Sequence, residues 1–461
     1  MTLHTVHRHA DRTLDISPLY SGALGTEIPR ARLAEEGMSA QLAAAIVADE
    51  LLLDGNARLN LATFCATVGE EAIDALAAKT ARVNITNQDE YPASVEIERR
   101  LCAIVADLWH APADYAAVAT TGSSEAILLS VLAARQRYRE AGGTGRPNLV
   151  YSAAAHPCWD KACRYFDVVP RRLPVPHVPN VPLLTAEAVL GAVDEDTIGV
   201  AATLGYPSTG AFDDVAALAE ALDALAASGG PDIALHVDAA SGGFVVPFSH
   251  PDLVWDFQHR RVASINASGH KYGGAPLGLG FVAWRHTDLL PEHLCFDVNL
   301  LGGEPVKSFS LTFSRPAAPI VAAYTTALRL GREGYTALVE REYAVAETIA
   351  RTVEEAGLEL WGDGTWLPLV AFAMPAGTTR RWGLEHLSAK LREHGWQLPV
   401  YDLATGAEDV RVARVTCRAG LSSDLAEKLA DDFAAAVAAL DAHDAHDGEH
   451  PAAPSGGFHE A

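Results

Sequence analysis

The sequence predicts an α/β fold, a mostly parallel central sheet flanked by helices, with a smaller C-terminal α+β region. Three observations predict it. Residues 198–204 form an almost continuous apolar run, the pattern of a strand buried on both faces of a parallel sheet. Val215, Leu218, Leu222 and Leu225 repeat at helical spacing just after Asp213 and Asp214, which can cap a helix start. Strand patterns at 233–237 and 262–267 follow, giving a β-α-β-β order.

Element by element, residues 148–151 read as a short strand, and Gly229-Gly230 stops the helix that starts after Asp214. Residues 1–57 read as an N-terminal arm or helical segment, 58–342 as the large domain and 343–441 as the small one. The small region holds a long helical pattern, strand-like stretches at 366–372 and 410–417, and a last helix for which Asp424 and Glu427 suggest a capping box. Residues 442–461, small and polar with Pro451, Pro454 and Gly456-Gly457, read as a flexible tail.

With 461 residues, 49% of them hydrophobic, the chain can bury a large core. No apolar run approaches the roughly 18 residues that span a bilayer, and the His- and Arg-rich start lacks the apolar stretch of a secretory signal. Six cysteines without metal-type Cys-x-x-Cys spacing predict reduced thiols in a cytoplasmic protein and no metal site. The net charge of −24 argues against a nucleic-acid partner, because phosphate contacts need clustered Lys and Arg.

Chemistry concentrates at the strand ends, where open α/β sheets bind ligands. Asp238 ends one strand, and Ser268-Gly269-His270-Lys271 follows the next. A lysine amine can form a Schiff base with an aldehyde, and an aspartate can pair with a protonated pyridine nitrogen. Together they predict pyridoxal 5′-phosphate as cofactor. Ser268 and His270 can donate to its phosphate, and Ala240 is small enough to lie under a flat ring. Gly122-Ser123-Ser124 opens an apolar helical pattern and makes a second phosphate cradle, although Ser is also a common structural cap. His156, after a strand, can stack on the free face of the ring or serve as a loop histidine. Arg414 shares a strand face with Val410 and Val412, so it needs an anion, either structural or a substrate carboxylate.

These residues, with Asp54-Gly55-Asn56-Ala57-Arg58, Asn60-Leu61-Ala62-Thr63-Phe64-Cys65, Asp89-Glu90-Tyr91-Pro92, the stretch 264–273 and Phe313-Ser314-Arg315-Pro316, resemble the glutamate decarboxylase branch of the group II pyridoxal-phosphate amino acid decarboxylases. The resemblance runs over nearly the whole chain. It implies a fold-type-I enzyme, at least a homodimer with active sites at the subunit interface, and hexamers in bacterial members. By matching motif it implies Lys271 as Schiff-base lysine, Asp238 as ring-nitrogen partner, and Ser123, Ser124, Ser268 and His270 as phosphate ligands. Thr203 matches a cofactor contact. Thr63, Phe64 and Asn84 match positions that hold the side-chain carboxylate of glutamate, and Arg414 matches the substrate-carboxylate arginine.

Four positions depart from the pattern. Asn87 stands where an acidic residue is usual near the distal carboxylate. His156 replaces a glutamine of some bacterial relatives. Pro207 replaces a hydroxyl residue. Leu300 replaces a loop tyrosine linked to protonation at Cα, and the loop 304–308 is one residue longer. The resemblance therefore implies conversion of L-glutamate to 4-aminobutanoate and carbon dioxide. Asn87 and Leu300 keep open another amino acid, or decarboxylation coupled to oxidative deamination, and a cofactor-binding protein without turnover is the reading from another class. Lys271 or His270 would replace the missing proton donor. Phe458-His459 loosely resembles the terminus with which bacterial relatives close the site as pH rises, whereas composition alone predicts a solvated tail.

Overall fold

A computed structural model of the chain describes residues 31–35, 37–86, 88–298, 301–302 and 306–446. The chain divides into two units, Met1–Asp54 and Gly55–Ala461. The described part of the first holds the helix Ala40–Leu51, started by Ser39, whose Oγ accepts the Leu42 N–H at 3.2 Å.

The second unit is built on seven strands: β1 (Ala116–Thr120), β2 (Asn148–Ser152), β3 (Val169–Leu173), β4 (Thr197–Thr203), β5 (Leu235–Asp238), β6 (Val262–Ala267) and β7 (Gly280–Trp284). Their order is β1-β7-β6-β5-β4-β2-β3, and only β7 runs against its neighbours. Every residue of β4 is buried, which is why its sequence shows no polar alternation. The expected α/β class is what forms. The pairings Thr203 with Asp238 and Asp238 with Asn266 put three polar side chains in one row at the strand C-terminal ends.

The helix Val215–Ala227 buries Val215, Leu218 and Leu222, as its spacing predicts, and Gly229 follows it with φ 88°. Only one of the two candidate caps serves. Asp214 Oδ1 accepts the Ala217 N–H at 2.9 Å. Asp213 instead turns inward, accepting from Leu184 N (2.9 Å), Thr203 N (2.8 Å) and the Tyr206 hydroxyl (2.6 Å). Burial pushes its carboxyl up to about 7.

Two short strands, β8 (Phe296–Val298) and β9 (Val306–Ser308), pair antiparallel. A second, antiparallel sheet contains β10 (Glu359–Asp363), β11 (Leu369–Ala373), β12 (Val400–Asp402) and β13 (Arg411–Thr416), in the order β10-β11-β13-β12. The helix Ala318–Glu355 runs straight through residue 343, so the boundary expected there falls inside a helix; its interruption is at Gly331 (φ 57°, ψ −172°).

The last helix is Ser423–His446. It starts before Asp424, so Asp424 lies in the first turn, where a carboxylate favours the helix N-terminus, and is not the cap. The helix also continues past residue 442, which corrects the start of the expected tail. Asp441 accepts from Trp382 Nε1 at 2.8 Å and Asp444 from Arg381 N at 2.9 Å, contacts that composition could not reveal. His450, Phe458 and His459 lie outside the described residues. Among the described residues no helix is long and apolar enough to cross a membrane.

Candidate active site

Three sequence-predicted residues, Asp238, Ser268 and Lys271, come from β5 and from the turn after β6. The Asp238 carboxylate is 3% exposed and meets three donors. Oδ1 accepts from Ala240 N (3.1 Å) and Asn266 Nδ2 (2.9 Å), and Oδ2 from Trp159 Nε1 (2.9 Å). The chain of contacts continues inward. Asn266 Oδ1 lies 2.6 Å from His236 Nε2, and His236 Nδ1 lies 2.7 Å from Ser264 Oγ. Burial lowers the His236 pKa, so the neutral ring donates from Nε2 and accepts at Nδ1.

Ser123 and Ser268, two of the residues expected to hold a phosphate, meet. Gly122 caps the helix Ser123–Glu140, and Ser268 Oγ donates to Ser123 Oγ at 2.8 Å. A Cβ on Gly280 of β7 would sit 2.4 Å from the Gly122 carbonyl carbon, so only glycine lets this turn approach the sheet. His270 closes the other side: its Nδ1 accepts the Leu279 N–H at 3.2 Å, leaving the proton on Nε2. Burial, helped by the Lys271 charge, pushes His270 down to about 4.

Lys271 Nζ donates to Ser241 Oγ at 3.3 Å and stands 4.9 Å from the Phe64 ring centroid. Burial lowers its pKa, against the opposing pull of the Asp238 charge. His156 lies in the same field. Its Nδ1 accepts the Cys158 N–H at 3.2 Å, and burial, then the Lys271 charge, lower its pKa. Thr203 is buried and sits beside Asp238 in the strand register, near the Tyr206 hydroxyl.

Arg414 approaches from β13. Its guanidinium lies 4.8 Å from the Phe64 centroid and 5.4 Å from that of Tyr401. Nη2 donates to Ala62 O at 3.0 Å and Nη1 to Pro207 O, while the buried Nε has no hydrogen-bond partner among the described residues. Thr63 Oγ1 accepts the Cys65 N–H at 3.1 Å. Asn84 is held elsewhere: Oδ1 accepts from Arg315 N (3.1 Å) and Nδ2 donates to Ser314 Oγ (3.4 Å). Asn87 and Leu300 lie outside the described residues.

Three residues of this site escaped the sequence reading: Trp159, Asn266 and Ser241. Asn266 had a signal, because Ser264, Asn266 and Ser268 alternate along β6 with the period of one strand face. Trp159 had none, since its contact with Asp238 depends on how the helix Cys158–Tyr165 packs on the sheet.

The donor set suits pyridoxal 5′-phosphate. It has an amine, a carboxylate with capacity left at Oδ2, hydroxyls at a helix N-terminus, and a buried hydroxyl in register with the carboxylate. Among the described residues no group of His, Cys, Asp and Glu is arranged to hold a metal.

Residues 35–374 match the family described as the pyridoxal-dependent decarboxylase conserved domain. The chain is 39% identical over 437 residues to glutamate decarboxylase beta of Listeria innocua, covering 92% of this chain and 94% of that protein. It is 38% identical over 469 residues to the glutamate decarboxylase of Aliivibrio fischeri, covering all of both. The solved glutamate decarboxylase of Lactobacillus brevis superposes with a TM-score of 0.86 at 37% identity, covering 90% of this chain and 96% of that one.

Proposed function

The chain belongs to the pyridoxal-dependent decarboxylase family, and on that premise we propose that it removes the α-carboxylate of L-glutamate as carbon dioxide, leaving 4-aminobutanoate. The observation that carries this reading is the ring of Phe64, with Lys271 Nζ 4.9 Å and the Arg414 guanidinium 4.8 Å from its centroid. On this reading Arg414 is the cation that meets a substrate carboxylate and Lys271 the reactive amine, both against the Phe64 ring. The similarity to glutamate decarboxylases over nearly the full chain supports glutamate as the amino acid.

Pyridoxal 5′-phosphate, when bound, supplies an electron sink for the pair left as the Cα–carboxylate bond breaks. Ser123, Ser124, Ser268 and His270, together with the Gly122 turn, would hold its phosphate. Asp238 would hold the ring nitrogen, Lys271 the aldehyde carbon, Thr203 a polar edge, and His156 and Ala240 the two ring faces. The three donors on Asp238 orient its carboxylate. The depressed pKa of Lys271 keeps its amine available for exchange with the substrate amine. Arg414 would orient the α-carboxylate, and Thr63 and Phe64 would receive the distal one. Lys271 Nζ or the Nε2–H of His270 would return the proton to Cα.

We also infer a homodimer at least, which the exposed, mutually packed rings of Phe296 and Phe313 support, and a cytoplasmic location, which six free thiols support. The test of the reaction is carbon dioxide release from each of the twenty amino acids with product identification. The expected product is 4-aminobutanoate from L-glutamate. An aldehyde with ammonia and peroxide, or turnover of a different amino acid only, would overturn the proposal.

A further inference from the structure

Arg418 follows β13 by two residues and is 2% exposed, within the electrostatic reach of the buried Glu342 carboxyl. Its guanidinium is spent on backbone carbonyls of a distant segment. Nε donates to Cys65 O at 3.1 Å, and Nη2 to both Ala57 O and Asn60 O at 3.0 Å. Asn60 passes the constraint on: its Oδ1 accepts the N–H groups of Ala62 (2.9 Å) and Thr63 (3.2 Å). The segment is pinned at its far end as well, where Ala66 N donates to His270 O at 2.9 Å, one residue before Lys271. Between these anchors lie Thr63 and Phe64.

A buried guanidinium costs desolvation energy that a structural cap on one carbonyl does not require. Its planar fork suits several acceptors in different directions, which an ammonium cannot serve at once. We infer that Arg418 is a positioning residue for substrate selection: by gripping Ala57, Asn60 and Cys65 it holds Thr63 and Phe64 at a fixed distance from Lys271. The inference takes the identity of the substrate from the proposed glutamate reaction, but its geometry stands apart from that reading.

The test is Arg418→Lys in the cofactor-loaded enzyme, read in three ways. Cofactor affinity, titrated by visible absorbance, stays within about twofold of the parent, because none of the cradle residues touches Arg418. The preference for L-glutamate over L-norvaline, which lacks the distal carboxylate, falls on the order of tenfold or more in kcat/KM, chiefly through KM for glutamate. Hydrogen exchange quickens in residues 57–67 and not in the strands of the large sheet. An equal loss on both amino acids, or unchanged exchange in 57–67, overturns the inference. Absence of glutamate turnover in the parent instead overturns the reaction, while the exchange result still decides the role of Arg418. If the variant does not fold, the parent supplies the measurement: saturating glutarate should slow exchange in 57–67, and protection confined to other segments overturns the inference.

Discussion

Trp159 Nε1 donates to Oδ2 of Asp238 at 2.9 Å, across 79 residues of chain. The indole is 1% exposed and packs edge-on against His236, with 5.2 Å between ring centroids. A helix residue thus orients the carboxylate that ends a strand, from the side opposite Asn266. The contact links packing to polar structure, since the same ring packs in a buried apolar cluster with Leu149, Tyr151 and Ile198 and occupies one lone pair of Asp238.

Trp159→Phe keeps most of the ring volume and removes the donor. A hydrogen bond to a buried charge is worth roughly 1.5–3 kcal/mol, and the variant should lose about that much stability in urea unfolding. Cofactor should also dissociate more readily, because Asp238 is then held from one side. A variant that matches the parent in both measurements would show that the indole serves only as filler.

Borohydride reduction of the cofactor-loaded enzyme, followed by peptide mapping, should place the pyridoxyl group on Lys271. Burial lowers the pKa of this amine, which favours the free base that attacks an aldehyde. Lys271→Ala should lose both the label and turnover, while Asp238 and the serines still retain cofactor noncovalently. A label on any other lysine refutes the assignment.

Glu342 provides a pH test away from the reacting atoms. It is 4% exposed, its Oε2 has no hydrogen-bond partner among the described residues, and burial pushes its carboxyl up to about 8. Its unfolded value is about 4.3, so between these values the folded state holds a proton that the unfolded state has released. Stability must then fall as pH rises through that window, by at most about 1.4 kcal/mol per pH unit. Glu342→Gln removes this contribution. The difference in unfolding free energy between variant and parent should grow in the variant's favour from pH 5 to pH 8. Parallel curves in urea would show that Glu342 does not titrate there.

What could be read from the sequence was what is local. The buried run of β4, the period of the helix Val215–Ala227 and the strand ends before Asp238 and Ser268 each lie in a few consecutive residues, where side-chain periodicity reports which face is buried. Lysine and aspartate at two such ends are enough to name the cofactor, because few other groups need both. Tertiary structure alone decided which groups restrain them. Trp159 on Asp238, Arg414 on Pro207, and Arg418 on the segment that carries Phe64 join residues 79, 207 and more than 350 positions apart. It also turned Asp213 from a helix cap into an inward acceptor and carried the last helix past residue 442. The physical reason is the same in each case. A buried donor must find an acceptor wherever packing brings one, and the packing of two sheets and their helices is not written in the spacing of neighbours along the chain.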